Sequence, residues 1–239
     1  MSFLAQGRGS DSPYVESIWR GTTQQETSFL CPADGRWNIL FTWWDGKVRI
    51  SVEGPMTRAI PKTHGKGIEW LAIKFKLGTF LRDVPARLQL DGEVLLSLET
   101  LHSFWLGGSI FQLPDYENAD TFVDWLVRRQ VLLSDPVVMA ALADQPHQLS
   151  SRTLRHRFLH ATGLSQTSIR QIERARSAAS LLQQGVSILD VVVQAGYADQ
   201  PHLTRSLGRF LGQTPASFAA MHMPVAPPLA SPYAALVSR

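Results

Sequence analysis

A single cysteine, Cys31, occurs in 239 residues, which excludes an internal disulfide framework and any all-cysteine metal site. No run of about 18 apolar residues appears, and the N-terminus MSFLAQGRGSDSPY lacks the basic stretch and apolar run of an export signal. A soluble, cytoplasmic chain with no membrane partner is the expectation. Histidine is scarce where a metal centre would need it. Before residue 135 there are only His64 and His102, isolated, with no His-x-His or His-x-x-x-His pair. Metal sites converge three or four N, O or S ligands, so no metal is expected there, and no cofactor. Cys31 precedes Pro32 and has no His or Lys within a few residues to lower its pKa. It reads as an inert thiol rather than a nucleophile.

Lysine is absent after Lys76 and tryptophan after Trp125. These gaps expose a split that the net charge of +3 hides. Residues 1–135 carry 14 Lys+Arg against 16 Asp+Glu and residues 136–239 carry 9 against 4, so the halves are −2 and +5. All nine cations of the second half are Arg, whose planar fork of donors suits phosphate oxygens and guanine edges. A composition of 44% hydrophobic and 18% charged residues can bury real cores. Two domains with different work is the economical reading.

Residues 15–112 read as β-rich. Trp37 to Trp44 is a run of aromatic and branched residues, Asp45-Gly46 is a hairpin dipeptide, and Lys47 to Val52 alternates polar with apolar. Glu69 to Phe75 and the segment around Leu88 to Leu98, interrupted by Asp91-Gly92, are further strands. Short strands with Gly/Pro turns and no helical period between them predict an antiparallel sandwich or barrel. Trp37, Phe41, Trp43, Trp44, Trp70, Phe75 and Trp105 are candidate walls of an apolar or aromatic effector pocket. Each is equally explained as core.

From Tyr116 the period changes. Ala119 to Leu133 has helical spacing, with Asp120 and Asp124 early and Arg128-Arg129 late, matching the helix dipole. Ser134-Asp135-Pro136 starts a short helix through about Asp144. A pattern then appears twice, 49 residues apart: Leu154-x-x-x-Phe158-x-x-x-x-Gly163 and Leu203-x-x-x-Leu207-x-x-x-x-Gly212. Each copy follows an N-cap residue, Ser150 or Asp199. A long helix from Ser168 to Gln184 and a short one from Ile188 to Gln194 separate them. Opposite the apolar stripe of the first copy lie Arg152, Arg155, His156 and Arg157. Outward in the second are Gln200, Pro201, His202, Thr204, Arg205 and Arg209. A short helix, a turn and a helix with a polar, Arg-rich face specify a helix-turn-helix, whose second helix enters a major groove. A solvated basic face explains one such copy alone, and duplication makes that explanation weaker.

The run Ile188-Leu-Asp-Val-Val-Val-Gln-Ala-Gly-Tyr-Ala-Asp-Gln-Pro-His-Leu-Thr-Arg205, followed by Phe210, Gly212, Thr214 and Pro215, resembles the signature of the AraC/XylS family of bacterial transcription regulators. Leu149 to Phe158 with Gly163 is similar to that family's first helix-turn-helix. The resemblance covers residues 136–219. It departs at Val192, where the family commonly has alanine, and at Pro201 in the first turn of the second reading helix. It implies an α+β fold in two domains. The N-terminal one is an antiparallel β-barrel or sandwich, cupin-like, and the C-terminal one is all-α, with two helix-turn-helix units joined by a linker helix. The expected boundaries are a β-rich sensing or dimerisation domain at 1–113, a connecting amphipathic helix at 114–135, the DNA-binding domain at 136–220 and a Pro-rich flexible tail at 221–239.

The implied function is non-enzymatic: sequence-specific binding of double-stranded DNA by a homodimer, with a small-molecule effector in the N-terminal half and RNA polymerase as a further partner. Ser151, Arg152, Thr153, Arg155, His156 and Arg157 are the first unit's DNA-binding set. Gln200, Pro201, His202, Thr204, Arg205 and Arg209 are the second's, with Arg174 and Arg176 of the linker placed at phosphates. Three alternatives stay open: an N-terminal half that only dimerises or contacts proteins, a metal-dependent barrel enzyme fused to the DNA-binding domain, and alkyl transfer through Cys31.

Overall fold

A computed structural model describes residues 3–146 and 148–221. Its first half is built of strands, numbered along the chain: β1 Phe3–Arg8, β2 Val15–Thr23, β3 Thr27–Cys31, β4 Asn38–Trp44, β5 Lys47–Glu53, β6 Ile60–His64 and β7 Glu69–Phe75. Then come β8 Thr79–Leu81, a 3-10 turn at Ala86–Leu88, β9 Glu93–Leu95, β10 Leu98–Thr100, β11 Ser103–Leu106 and β12 Ser109–Gln112. Asp45 and Gly46 both take positive φ, 46° and 68°, the turn whose twist matches two antiparallel strands. They join β4 to β5 in the register Trp44↔Lys47 to Asn38↔Glu53.

Six strands form one antiparallel sheet in the order β1-β2-β7-β4-β5-β9. One face is apolar: Ile18, Ile39, Phe41, Ile50, Leu71, Ile73 and Phe75 are buried against Phe104 and Phe111 of the sheet β10-β11-β12. Each such Phe or Ile removed from water contributes about 1.5–3 kcal/mol. The other face carries Ser17, Asn38, Glu53 and Lys74 and is flanked by the ribbon β3–β6. The expected barrel does not close. β1 and β9 remain the edges of the large sheet, because β9 is three residues long and the chain then departs into a separate hairpin sheet.

Helix α1, Ala119–Arg128, buries Phe122, Val123 and Leu126 in the same core as Phe41 and Phe104. Strand β13, Leu132–Ser134, pairs with β8. The segment expected as a connector is therefore part of the β-rich half. Its helix stops five residues before Leu133 because Gln130 adopts a left-handed φ of 56°.

The second half is α-helical: α2 Pro136–Leu142, α3 Ser151–Thr162, α4 Gln166–Gln183, α5 Ile188–Gln194, α6 Gln200–Leu211 and α7 Pro215–Ala220. Leu154, Phe158, Ile169, Ile172, Leu182, Val191, Leu203 and Leu207 form its core. Ala33 belongs to that core, with Leu77, Phe80 and Leu90 packed against it, so the two halves share an apolar seam. Sequence pattern missed α7, although Thr214 caps it through the Ser217 amide and Pro215 occupies its first turn. Of the segment expected as a tail, residues 222–239 lie outside the described residues.

Candidate nucleic-acid interface

The two copies of the repeat fold alike because their local signals are alike. Ser150 Oγ accepts from the Thr153 amide at 3.2 Å, and Asp199 Oδ1 accepts from the His202 amide at 2.6 Å. Both helices are 12 residues long and both end at a left-handed glycine, Gly163 with φ 70° and Gly212 with φ 72°. Each is preceded by a seven-residue helix, α2 or α5. Leu154 and Phe158, and Leu203 and Leu207, point into the core, which turns the opposite stripe outward.

On that stripe Ser151, Arg152, Thr153, Arg155 and His156 are exposed on α3, and Gln200, Pro201, Arg205 and Arg209 on α6. They face solvent on one side of each helix. Other members of the expected set have internal partners. Arg157 Nε donates to Asp135 Oδ2 at 2.8 Å, the carboxylate that caps α2 through the Val137 and Val138 amides. Burial alone would raise the Asp135 carboxyl, but Arg157 and those two amides hold it below its ordinary value. Arg174 lies over the Tyr197 ring at 4.6 Å and donates to the Gly196 carbonyl at 3.4 Å, so it pins the α5–α6 turn to α4. Arg176 faces Asp34 and Glu173. His202 and Thr204 are half-buried. The first packs edge-on to Tyr197, and the second returns its hydroxyl to the Gln200 carbonyl.

A family profile for a helix-turn-helix domain matches residues 147–221, a stretch that includes the residues resembling the AraC/XylS signature. The match covers under a third of the chain. The HTH-type transcriptional regulator RipA of Corynebacterium glutamicum is 38% identical to the chain over 91 residues, 37% of this chain and 28% of that protein. RipA of Corynebacterium diphtheriae is 34% identical over 96 residues, 39% of this chain and 29% of that protein. The chain thus spans under a third of the length of these relatives. The solved structure of ToxT from Vibrio cholerae aligns over 92% of this chain and 99% of its own at a TM-score of 0.39 and 11% identity, a likeness too loose to carry any argument.

The helical half is seated on the β-rich half at the C-terminal ends of α3 and α6. The Ala33 amide donates to the Phe210 carbonyl at 2.7 Å and the Ala59 amide to the Arg209 carbonyl at 2.9 Å. A Cβ at Gly212 would overlap the Leu30 side chain and lie 3.0 Å from Ala59 Cβ, and one at Gly163 would lie 3.1 Å from the Ala86 carbonyl oxygen. Beside this seam Asp34 pairs with Lys74, and Arg36 bridges Glu16 and Glu173. Burial would raise the Asp34 carboxyl, but Lys74, then Arg176 and Arg36, hold it below its ordinary value. None of the contacts across this seam is legible in the sequence, because each joins residues more than 70 positions apart.

The seven aromatics expected around one pocket are dispersed. Trp37 stacks on Phe75 at 4.1 Å and donates its indole N–H to the Thr79 carbonyl, and Phe41 is fully buried in the same core. Trp43 and Trp70 border one open cavity of about 620 Å³, whereas Trp44 borders another of about 570 Å³. Trp105 is 43% exposed. Burial pushes the Cys31 thiol up, the opposite of what a nucleophile needs. Among the described residues no group of three His, Cys, Asp or Glu is arranged to hold a metal ion, and no helix is long and apolar enough to cross a membrane.

Proposed function

We infer that the chain is a DNA-binding transcription regulator that reads duplex DNA with two helix-turn-helix units, α2–α3 and α5–α6, spaced by α4. One observation carries this reading: within an AraC/XylS-type domain, two equally capped helices turn Arg152, Arg155 and His156, and Gln200 and Arg205, outward from a common core. Arg pairs bidentately with guanine and Gln with adenine in the major groove. The amides at the two helix N-termini and Arg209 are placed to hold phosphates. No step of this work is a reaction, and the β-rich half serves as the regulatory part. Genome-wide occupancy with and without candidate effectors tests the reading. Enrichment at a recurrent sequence upstream of genes supports it, and occupancy that follows DNA abundance alone contradicts it.

A second role of the β-rich half rests on a specific patch. Trp105, Ile110 and Trp125 are 43%, 40% and 48% exposed. Trp105 and Ile110 are cross-strand partners, and Ile110 and Trp125 border one groove. Such a patch suits pairing of two copies, which would present a dimer to DNA. Trp125→Glu should then shift the mass in solution to that of a monomer.

A further inference from the structure

Each reading helix ends against a loop of the β-rich half, and each loop carries an exposed arginine. At α6 the loop runs from Pro55 to Ala59, whose amide donates to the Arg209 carbonyl at 2.9 Å. Arg58 stands out from it, exposed between half-buried Thr57 and Ala59. At α3 the loop is the 3-10 turn Ala86–Leu88, whose Ala86 carbonyl closes on Gly163. Its middle residue, Arg87, is exposed. The two loops are braced into one unit. Asp91 accepts from the Thr57 amide and hydroxyl at 2.6 Å each, and its own amide donates to the Pro55 carbonyl at 3.2 Å. The Gly54 amide donates to the Gly92 carbonyl at 3.1 Å, and a Cβ at Gly54 would overlap the Gln89 carbonyl. Gln89 is itself buried and donates its side-chain amide to the Val84 carbonyl at 3.1 Å. The two arginines therefore stand on a fixed ledge that joins the seats of the two reading helices.

The charge of the ledge is uncompensated. Elsewhere in the β-rich half Arg8, Arg36 and Arg49 are paired with Asp120, Glu16 and Glu93. Arg58 and Arg87 are in no ion pair among the described residues. The carboxylates along the ledge are already engaged, Asp91 by Thr57, Glu93 by Arg49 and Asp83 by Arg82. Arg209, exposed in the last turn of α6, adds its charge beside Arg58. A guanidinium offers five donors in a planar fork that fits phosphate oxygens, and a side chain on a braced loop loses little freedom when it binds. Each reading helix has 12 residues and is about 18 Å long, against a major groove about 12 Å wide. The C-terminal end of a helix lying in that groove thus comes level with the phosphates at its rim. We propose that the ledge is a second DNA-contacting surface, built by the β-rich half, in which Arg87 holds a backbone phosphate beside the bases read by α3 and Arg58 one beside those read by α6. It rests on the reading that α3 and α6 enter a duplex. It adds affinity without base preference, because phosphates carry no sequence information.

The test is the salt dependence of binding by the full chain to the duplex that it selects from a random library, measured between about 0.05 and about 0.3 M KCl. Arg58→Ala and Arg87→Ala should each lower the slope of log affinity against log salt by about 0.9 and weaken binding about fivefold at about 0.15 M. The loss should be the same on every single-base variant of that duplex. The double variant should lower the slope by about 1.8. Arg58→Lys keeps the charge and should keep the slope. Arg128→Ala removes an exposed arginine of α1, which packs in the other core, and should leave the slope unaltered. An unchanged slope in Arg58→Ala or in Arg87→Ala overturns the ledge. So does an equal fall in Arg128→Ala, which would mark a long-range field in place of a contact. A lower melting temperature with an unchanged slope would assign the two arginines to the dipoles of the helix ends and also overturns it. A chain that selects no sequence contradicts the DNA-binding reading itself. A chain that selects one, with slopes unaltered by the two variants, overturns the ledge alone and leaves that reading standing.

Discussion

The Ala33 amide gives its hydrogen bond to the carbonyl of Phe210, two residues before the glycine that ends α6, at 2.7 Å. A helix leaves its last carbonyls without intrahelical partners. Here the β-rich half supplies one for Phe210 and another, from Ala59, for Arg209. Helix α6 is thus fixed at its C-terminal end by the β-rich half, while its N-terminal end faces outward with Gln200 exposed.

This seating predicts different costs for two glycines of similar φ. Gly196, φ 68°, has nothing within 4 Å of an added Cβ, whereas at Gly212, φ 72°, the Leu30 side chain and Ala59 stand in the way. Gly196→Ala should cost about 1–2 kcal/mol, the conformational penalty alone. Gly212→Ala should cost more, and should also speed hydrogen exchange at Ala33 and Ala59. Urea unfolding and exchange mass spectrometry read both effects. Equal costs with unchanged exchange would show that the seat does not hold.

Two arginines of the first and second reading helices should behave differently. Arg205→Ala is expected to cost about 1–3 kcal/mol of binding at one position of the site and to relax the base preference there. Arg157→Ala should leave base preference unchanged and lower thermal stability, because Asp135 keeps Arg157 at the α2 cap. Binding to a panel of single-base variants separates the two. A loss of base preference in Arg157→Ala would return that residue to the reading surface.

Acid should loosen the seam between the halves. Asp34 is depressed below its ordinary value by Lys74, Arg176 and Arg36 against its own burial. Its contribution is therefore complete above the unfolded carboxylate value of about 3.9 and is lost as pH falls through its lower folded value. Asp34→Asn leaves Lys74 buried without its partner and should cost about 3–5 kcal/mol at pH 7. The substituted chain should then lose less stability than the parent between about pH 4 and pH 2. Parallel acid limbs in denaturant titrations would contradict this.

Tyr197 and Ser206 share a buried 2.9 Å hydrogen bond beneath the α5–α6 turn. Tyr197→Phe should cost about 1 kcal/mol, with a further penalty if the Ser206 hydroxyl is left without a partner, and it keeps the ring that Arg174 covers. Tyr197→Leu removes both and should weaken DNA binding as well. Equal DNA affinity in the two variants would mean that the Arg174 contact does not set α6.

The helical half was largely legible in the sequence, because its determinants are local. Ser150, Asp199, Gly163 and Gly212 cap within a turn of their own helices, and the 3.6-residue period places Leu154, Phe158, Leu203 and Leu207 inward. The Asp45-Gly46 hairpin was legible for the same reason. Sheet order was not, since β2, β4 and β7 are joined by pairings that no adjacent residues announce. The open sheet in place of a barrel followed from the short β9, and β13 was hidden by the left-handed Gln130 inside an apparently helical pattern. The aromatic pocket failed as a single unit because strand alternation sends Trp43 and Trp44 to opposite faces. Arg157 looked like a base contact, and Arg174 and Arg176 like phosphate contacts, because charge and exposure are inferred from type, and their partners Asp135, Tyr197 and Asp34 are remote in sequence.

Selection of bound duplexes from a random library by the full chain, at a salt concentration of about 0.15 M that suppresses non-specific attraction, tests the central claim most directly. Two conserved base elements centred about 10–10.5 base pairs apart, with Arg205→Ala erasing preference in one and Arg155→Ala in the other, are the predicted result. Retention of all sequences alike, falling uniformly as salt rises, would contradict it.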